Sequence, residues 1–505
     1  MSERQTHTDE VPLGDRIAAN PRPAALWVAG VALFVLAEFG AVATVAVDLL
    51  AAVAGAVAAV AGAVAGPGPV APAIGGTVAD LLASARGVAE SIPTLLSREL
   101  VPNQGHKVAP DGPWAGTFLG LPPAVAWGLR VLLVYAYLFG FLYWVWYGYR
   151  LFVEHYRQAD WTPRDDVVRR LRGHRWGQFG LVVVVLFVGL ALFAPTVSPT
   201  TYERNVISPY EYEVQYLEEG SGEVQSIAVG DANLQSASQG GSDPEYNTGP
   251  MEYDDFGRFH PFGTMANPGG DLFTFMAYGA RVSLFIGLLA IGISGFIAAT
   301  FGLVTAYYKG LADLSVVLVS DSIQAIPAIL LLILVSVIFS DHWLATFYNG
   351  GLLIALAFGF IYWPGLWRSV RGPAFQVAEQ EWVDAARSYG QRADATMRKH
   401  MLPYILGYLL IYGSLTIGGV IITTSALSFL GIGINPPTPE WGRAVAGGRS
   451  YVATQSWHIA LIPGVLIVLV VTAFNALGDG IRDAIDPQSE GGEAATEAAA
   501  AGGGG

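Results

Sequence analysis

The stretch EWVDAARSYGQRADATMRKHMLP, residues 381–403, is polar, basic and rich in helix formers, and it lies between two long apolar runs. Trp382, Ala385, Ala386 and Tyr389 recur at spacings of three and four, which predicts one shared helix face with Asp384 and Arg387 turned to another. Gly390 interrupts that pattern. Inside a helix a glycine costs about 1 kcal/mol relative to alanine, so the stretch reads as two short helices joined at Gly390, the second closed by Leu402-Pro403. With Arg387, Arg392, Arg398 and Lys399 this knuckle carries the kind of charge that collects on the cytoplasmic side of a membrane. Two readings fit the residue types alone, a connecting amphipathic loop and a docking surface.

The rest of the chain is built for lipid. Of 505 residues 53% are hydrophobic and only 13% charged, with a mean hydropathy of +0.45, which predicts a polytopic membrane protein. The formal net charge is −14, and lysine occurs only at positions 107, 309 and 399. Dense carboxylate suits either a high-salt exterior or one acidic outer loop. Cysteine is absent, which excludes a disulfide framework and a thiolate metal or redox centre.

Apolar runs long enough to cross a hydrocarbon core of about 30 Å place spans at residues 24–47, 124–149, 178–194, 282–307, 315–339, 352–367, 404–430 and 458–477, about eight in all. The first is too long for a signal peptide and has no small-residue cleavage site after it. Residues 49–66, rich in Ala, Val and Gly, read as its continuation, and residues 78–100 as an amphipathic helix. Trp144, Trp146, Tyr147 and Tyr149 mark a membrane interface. The next connector carries Arg157, Arg164, Arg169, Arg170, Arg172 and Arg175, which the positive-inside rule explains without nucleic-acid binding.

Residues 195–267 form the long polar insertion, with twelve Asp and Glu residues from Glu203 to Asp255 against Arg204 and Arg258. The charge rule puts it outside. Glu218-Glu219 and Asp254-Asp255 are paired carboxylates, but neither has the spacing of a calcium loop, so they read as solvated acidic surface. Alternation around Tyr210 to Tyr216 predicts a small strand-containing cap. Parity then sets the knuckle, the N-terminus and the acidic Ala/Gly-rich tail inside, the tail as a disordered segment. Asp313 and Asp321, beside or within a span, are candidates for lining a pathway.

The knuckle's order, Asp384-Ala385-Ala386, three residues, Gly390, and later Leu402-Pro403, resembles the EAA loop of permease subunits in ABC importers. The likeness extends to Tyr278-Gly-Ala-Arg-Val-Ser-Leu284, to Ala426-Leu-Ser-Phe-Leu-Gly-Ile-Gly433 with Pro436-Pro-Thr-Pro-Glu-Trp-Gly442, and to Phe474-Asn-Ala-Leu-Gly-Asp-Gly-Ile-Arg-Asp483 through Pro487. Together these resemble the second, C-type permease of the dipeptide/oligopeptide/nickel class over roughly residues 175–487. Asp384 stands where that loop usually has glutamate, Tyr404 where asparagine follows Leu-Pro, and residues 263–271 lack the acid and arginine usual ahead of Tyr278.

The resemblance implies an all-α permease of about eight transmembrane helices, six of them core, interrupted by an acidic extracellular insertion. Its divisions are an N-terminal extension with two extra spans (1–157), a basic cytoplasmic linker (158–177), the first core span (178–194), the insertion (195–277), the core (278–487) with its coupling loop at 381–403, and a tail (488–505). It implies multi-pass residence in the cell membrane and four kinds of partner: a second permease subunit, two ABC ATPase subunits, an extracellular substrate-binding protein and the lipid bilayer. ATP would be bound by the ATPases, and no cofactor by this chain. Asp384 would orient the coupling helix, Ala385 and Ala386 allow close approach, and Gly390 and Pro403 set the bend, with Leu402 the remaining residue of the coupling loop.

The residues agree on the energy source. None of the three lysines has glycine before it and Ser or Thr after it, so no phosphate-cradling loop is encoded. Nickel or oligosaccharides are alternative cargoes within the importer class. A secondary transporter or channel would require inverted repeats or broken helices around a midplane site, and a membrane enzyme a catalytic cluster at membrane depth.

Overall fold

A computed structural model of the chain describes residues 11–65, 70–92, 94–159, 161–218, 220–237, 247–266 and 269–485. The N-terminal decapeptide and the tail beyond 485 lie outside the described residues. The chain divides into two compact units, Met1–Asn103 with Val125–Asp160, and Gln104–Ala124 with Trp161–Gly505. Among the described residues six helices are long and apolar enough to cross a membrane, or up to eight if each of two bent pairs is one span.

The first unit begins with α1 (Leu13–Ala19), α2 (Pro21–Ala37), α3 (Phe39–Ala65) and α4 (Val70–Glu90). The span expected at residues 24–47 is broken at Glu38, so residues 49–65 belong to a helix that starts at Phe39. The cause is a diversion of backbone partners. The Ala37 carbonyl accepts from the Leu95 N–H at 2.9 Å, and the buried Glu38 carboxylate accepts from the Leu96 N–H at 2.8 Å. The Ala37 carbonyl is thereby taken up by a neighbouring segment instead of a continuous helix, and the Glu38 carboxylate holds that segment beside the break. The amphipathic helix expected at 78–100 is α4, which ends at Glu90. α5 (Pro123–His155) closes this unit against α2 through reciprocal indole bonds, with Trp27 Nε1 donating to the Trp144 carbonyl at 3.3 Å and Trp144 Nε1 to the Trp27 carbonyl at 3.1 Å. Trp144 is thus a helix-pairing residue as well as one of the aromatic residues expected at a membrane interface.

The second unit opens with the short antiparallel pair β1 (His106–Lys107) and β2 (Trp114–Ala115). The basic connector folds as α6 (Pro163–Gly173), started by a capping box between Thr162 and Asp165, with Arg170 and Arg172 in its last turn, where they complement the helix dipole. His174 breaks it from α7 (Arg175–Leu192), and α8 (Ala194–Val197) leads into the insertion.

The insertion contains a hairpin of β3 (Glu213–Leu217) and β4 (Val224–Ala228), the helix α9 (Val229–Gln235), and the two-residue pair β5 (Glu252–Tyr253) and β6 (Phe259–His260). Its polar centre corrects the expectation for Asp254. That carboxylate is buried and ion-paired instead of solvated, with Arg258 Nε at 2.6 Å and His260 Nε2 at 3.3 Å. Glu218 accepts from Ser221 Oγ at 2.6 Å on an exposed turn, while Glu219, Asp243 and Glu245 lie outside the described residues.

The core is organised on α10 (Leu272–Tyr308), whose 37 residues touch α7, α13 and α16. α11 (Gly310–Gln324) and α12 (Ala328–Ile338) replace the single span expected at 315–339 and meet at 78°. Pro327 explains the break, since it has no N–H to donate and pushes Ile326 away from helical geometry. α13 (Gly351–Ala378) packs along α10, where Ser294 Oγ donates to the Gly359 carbonyl at 2.8 Å. α14 (Glu381–Ser388) and α15 (Ala393–Thr396) make the knuckle and α16 (Leu402–Phe429) returns across the core. α17 (Trp441–Gly448) is capped by the buried Glu440, and α18 (His458–Ile485) closes against α7. There a Cβ on Gly177 would stand 2.9 Å from Gly480 Cα, so only glycine permits the helices to approach this closely.

Candidate functional site

The knuckle is one exposed helix held on a buried apolar footing. Val383 and Met401 are fully buried and join Leu303 and Ala306 of α10, Ala374, Val377 and Ala378 of α13, and Ile405 of α16 in a single cluster. Four elements therefore share one piece of core, and displacement of α14 must be felt at the ends of three spans.

Turn chemistry fixes the bend. The Gly390 N–H donates to the Arg387 carbonyl at 2.9 Å and the Gln391 N–H to the Ala386 carbonyl at 3.0 Å, the paired bonds of a Schellman cap. Gly390 has φ +76°, and a Cβ there would meet nothing within 4 Å. Glycine is required by conformation alone, not by crowding.

The second half differs from expectation. Leu402-Pro403 does not close a separate helix, because residues 393–429 run on as one apolar span through a wide turn at Met397–Met401. The Leu402 N–H reaches back to the Met397 carbonyl, and Pro403 occupies the first turn of α16, where its missing N–H is tolerated. The predicted apolar face is also reoriented. Trp382 is 51% and Tyr389 93% exposed, with Ala385 exposed between them and Ala386 half-buried. The core is met by Val383, which is absent from that spaced set although it stands three residues before Ala386.

Asp384 is exposed and lies 3.7 Å from Arg387. Arg387 in turn stacks on Tyr307 of α10, guanidinium carbon to ring centroid 4.2 Å, and its Nη2 donates to the Tyr307 carbonyl at 3.3 Å. Leu402 is half-buried against the same cluster, and Pro403 is exposed. Asp384, Ala385 and Gly390 thus face outward together, while Ala386 and Leu402 belong to the packed side.

The two pathway candidates are both ion-paired. Asp313 receives Arg371 Nε at 2.7 Å together with Arg371 Nη2, and Asp321 pairs with Arg368. Both ion pairs tie α11 to α13.

At the opposite end of α10, a network invisible to residue spacing holds its first turn. Asp271 caps α10, its Oδ1 accepting from the Thr274 N–H at 2.6 Å, while its Oδ2 lies 2.9 Å from His260 Nδ1. Buried His260 therefore stands between Asp271 and Asp254, and Arg258 adds a bond to Asn233 Oδ1 at 2.6 Å. Burial disfavours the protonated imidazole, but hydrogen bonds to both carboxylates outweigh it and raise the His260 pKa above its usual value. Burial alone would raise that of Asp254, yet Arg258 and His260 hold its carboxyl well below the ordinary range.

The comparisons with known proteins agree with this architecture. Residues 298–490 match the binding-protein-dependent transport system inner membrane component, and residues 162–219 the N-terminal TM domain of oligopeptide transport permease C. The glutathione transport system permease protein of Pectobacterium atrosepticum is 36% identical over 220 residues, 44% of this chain and 70% of that one. The oligopeptide transport system permease protein of Haemophilus influenzae is 33% identical over 230 residues, 46% and 71% of the two chains. The dipeptide transport system permease protein of Alkalihalophilus pseudofirmus is 29% identical over 327 residues, 65% and 90%. The chain belongs to the family of inner membrane components of binding-protein-dependent transport systems. It is a multi-pass membrane permease subunit of an importer complex and is not that complex's ATPase.

Proposed function

We propose that this chain is a peptide-class importer permease whose Glu381–Pro403 knuckle receives motion from separate ATPase subunits. The observation that carries the reading is the two-faced α14, which buries Val383 in the ends of three spans and turns Trp382, Ala385 and Tyr389 outward. An exposed aromatic face on a rigid footing suits a partner's cleft, and movement imposed on it passes through packed side chains to the core. Two ATPases, a second permease and a substrate-binding protein complete the complex. Both termini and the knuckle then share the cytoplasmic side. The names of the relatives, with dipeptide, oligopeptide and glutathione as cargo, favour peptides over nickel or oligosaccharides.

The test is the double variant D384A/G390A in the reconstituted complex. Loss of ATPase association, or of ATPase stimulation by loaded binding protein, is expected. Wild-type transport by that variant contradicts the coupling role.

A further inference from the structure

The basic connector carries a second feature that the importer mechanism leaves unused. Arg169, Arg170, Arg172 and Arg175 are exposed at the C-terminal end of α6 and the first residue of α7. Immediately beside them Trp176 and Phe179 stack with centroids 5.2 Å apart and stay 48% and 38% exposed. Arg175, Phe179, Val182 and Leu186, at helical spacing, are all exposed, so one outward stripe of α7 runs from guanidinium through aromatic ring to aliphatic side chains. That sequence of chemistries matches a phospholipid read from headgroup to acyl chain.

The patch is held in shape. His174 Nδ1 accepts from the Gly177 N–H at 2.9 Å and its Nε2 lies 3.0 Å from Asp483 Oδ2. Gln178 Nε2 donates to the Arg172 carbonyl at 2.5 Å, and Arg170 Nη1 to the Ala484 carbonyl at 3.4 Å. The last residue of α18, Ile485, packs near Gly407, at the knuckle end of α16. The basic end of α6 and the coupling loop therefore share one end of the molecule.

We propose that Arg172 and Arg175, with the Trp176–Phe179 stripe below them, bind the headgroup and upper chain of an anionic phospholipid. A chain of net charge −14 repels anionic lipid overall, so a local run of arginines, of which Arg169 is paired with a carboxylate of its own helix, Asp166 at 2.5 Å, beside an exposed aromatic pair is where charge complementarity selects one. Acyl-chain contact sets this ligand apart from a free phosphate ion.

The test uses the whole importer complex in nanodiscs of phosphatidylcholine mixed with phosphatidylglycerol, with retained lipid counted by native mass spectrometry after extraction. Phosphatidylglycerol should be enriched about tenfold over phosphatidylcholine, fall to the bulk ratio in R172Q/R175Q, and return in R172K/R175K. Inorganic phosphate should not displace it. Equal retention of the two lipids by wild type, or displacement by phosphate, overturns the proposal. So does a glutamine variant that keeps the lipid but loses its ATPases, which would make the patch a protein contact. Should the glutamine variant not assemble, the wild-type lipid ratio and the phosphate arm decide.

Discussion

Arg387, in the last turn of α14, lies over the ring of Tyr307, in the last turn of α10, and donates to that residue's main-chain carbonyl. The exposed knuckle and the longest core helix are thereby joined by a cation held over a ring as well as by apolar packing. A cation–π contact of this kind contributes about 0.5–2 kcal/mol. R387A and Y307A should each weaken ATPase stimulation by loaded binding protein, R387A the more because the residue-307 main-chain carbonyl still accepts from Arg387 in Y307A, and the double variant should lose little beyond R387A. Additive losses would show that the two residues act separately. R387K should rescue only in part, since an ammonium lacks the planar fork that stacks and bonds at once.

Gly390 is demanded by a left-handed φ in open space. G390A should destabilise the knuckle by about 1 kcal/mol, and G390N by less, because asparagine tolerates that conformation. Hydrogen exchange of the Gln391 amide, which closes the cap, reads the difference. Equal protection in both variants would contradict the Schellman account.

Val383 tests the footing. V383A removes two buried methyl groups and should cost about 1–2 kcal/mol. A charge at the same place, V383D, should prevent α14 from docking. Protease cleavage between residues 388 and 392 should rise in that order. Unchanged cleavage in V383D would mean that the buried cluster does not hold the loop.

The His260 network gives the insertion a pH dependence of known sign. The His260 pKa is raised above 6.5 in the folded protein, so its stabilisation is fully present below 6.5 and is lost as pH rises through the folded value. The Asp254 pKa is depressed below 3.8, so its contribution is present above 3.8 and lost as pH falls through the folded value. Protection of the insertion against proteolysis should be flat between those two reference values and decline on the alkaline side. H260Q should abolish the alkaline decline, whereas D254N should cost about 3–5 kcal/mol by leaving a buried charge unpaired.

Much of this is legible in residue types. Spans such as α7, α16 and α18 follow from uninterrupted apolar runs, and the knuckle from a basic segment broken by Gly390. Long-range partners are what residue types leave out. The break at Glu38 depends on Leu95 and Leu96, more than fifty residues away, and no local pattern encodes it. Asp254 reads as solvated acid until Arg258 and His260 fold around it. Pro327 is a visible breaker, but the apolar run on either side outweighs it in a count of span length. The outward face of α14 is hidden for a related reason. Its aromatic residues outnumber Val383, yet they stay exposed while the smaller Val383 is buried, and residue type alone does not separate the two.

The most direct measurement exploits the absence of native cysteine. Single variants Y389C and V383C, in the membrane-embedded complex, are labelled with a membrane-impermeant maleimide from the cytoplasmic side, with and without the ATPase subunits. The account predicts that the thiol of Y389C reacts fast in the permease alone and is protected at least about tenfold by the ATPases, a coupling of about 1.4 kcal/mol or more, while the thiol of V383C stays unreactive in both. Labelling of Y389C from the outer side only, or at one rate with and without the ATPases, would contradict it.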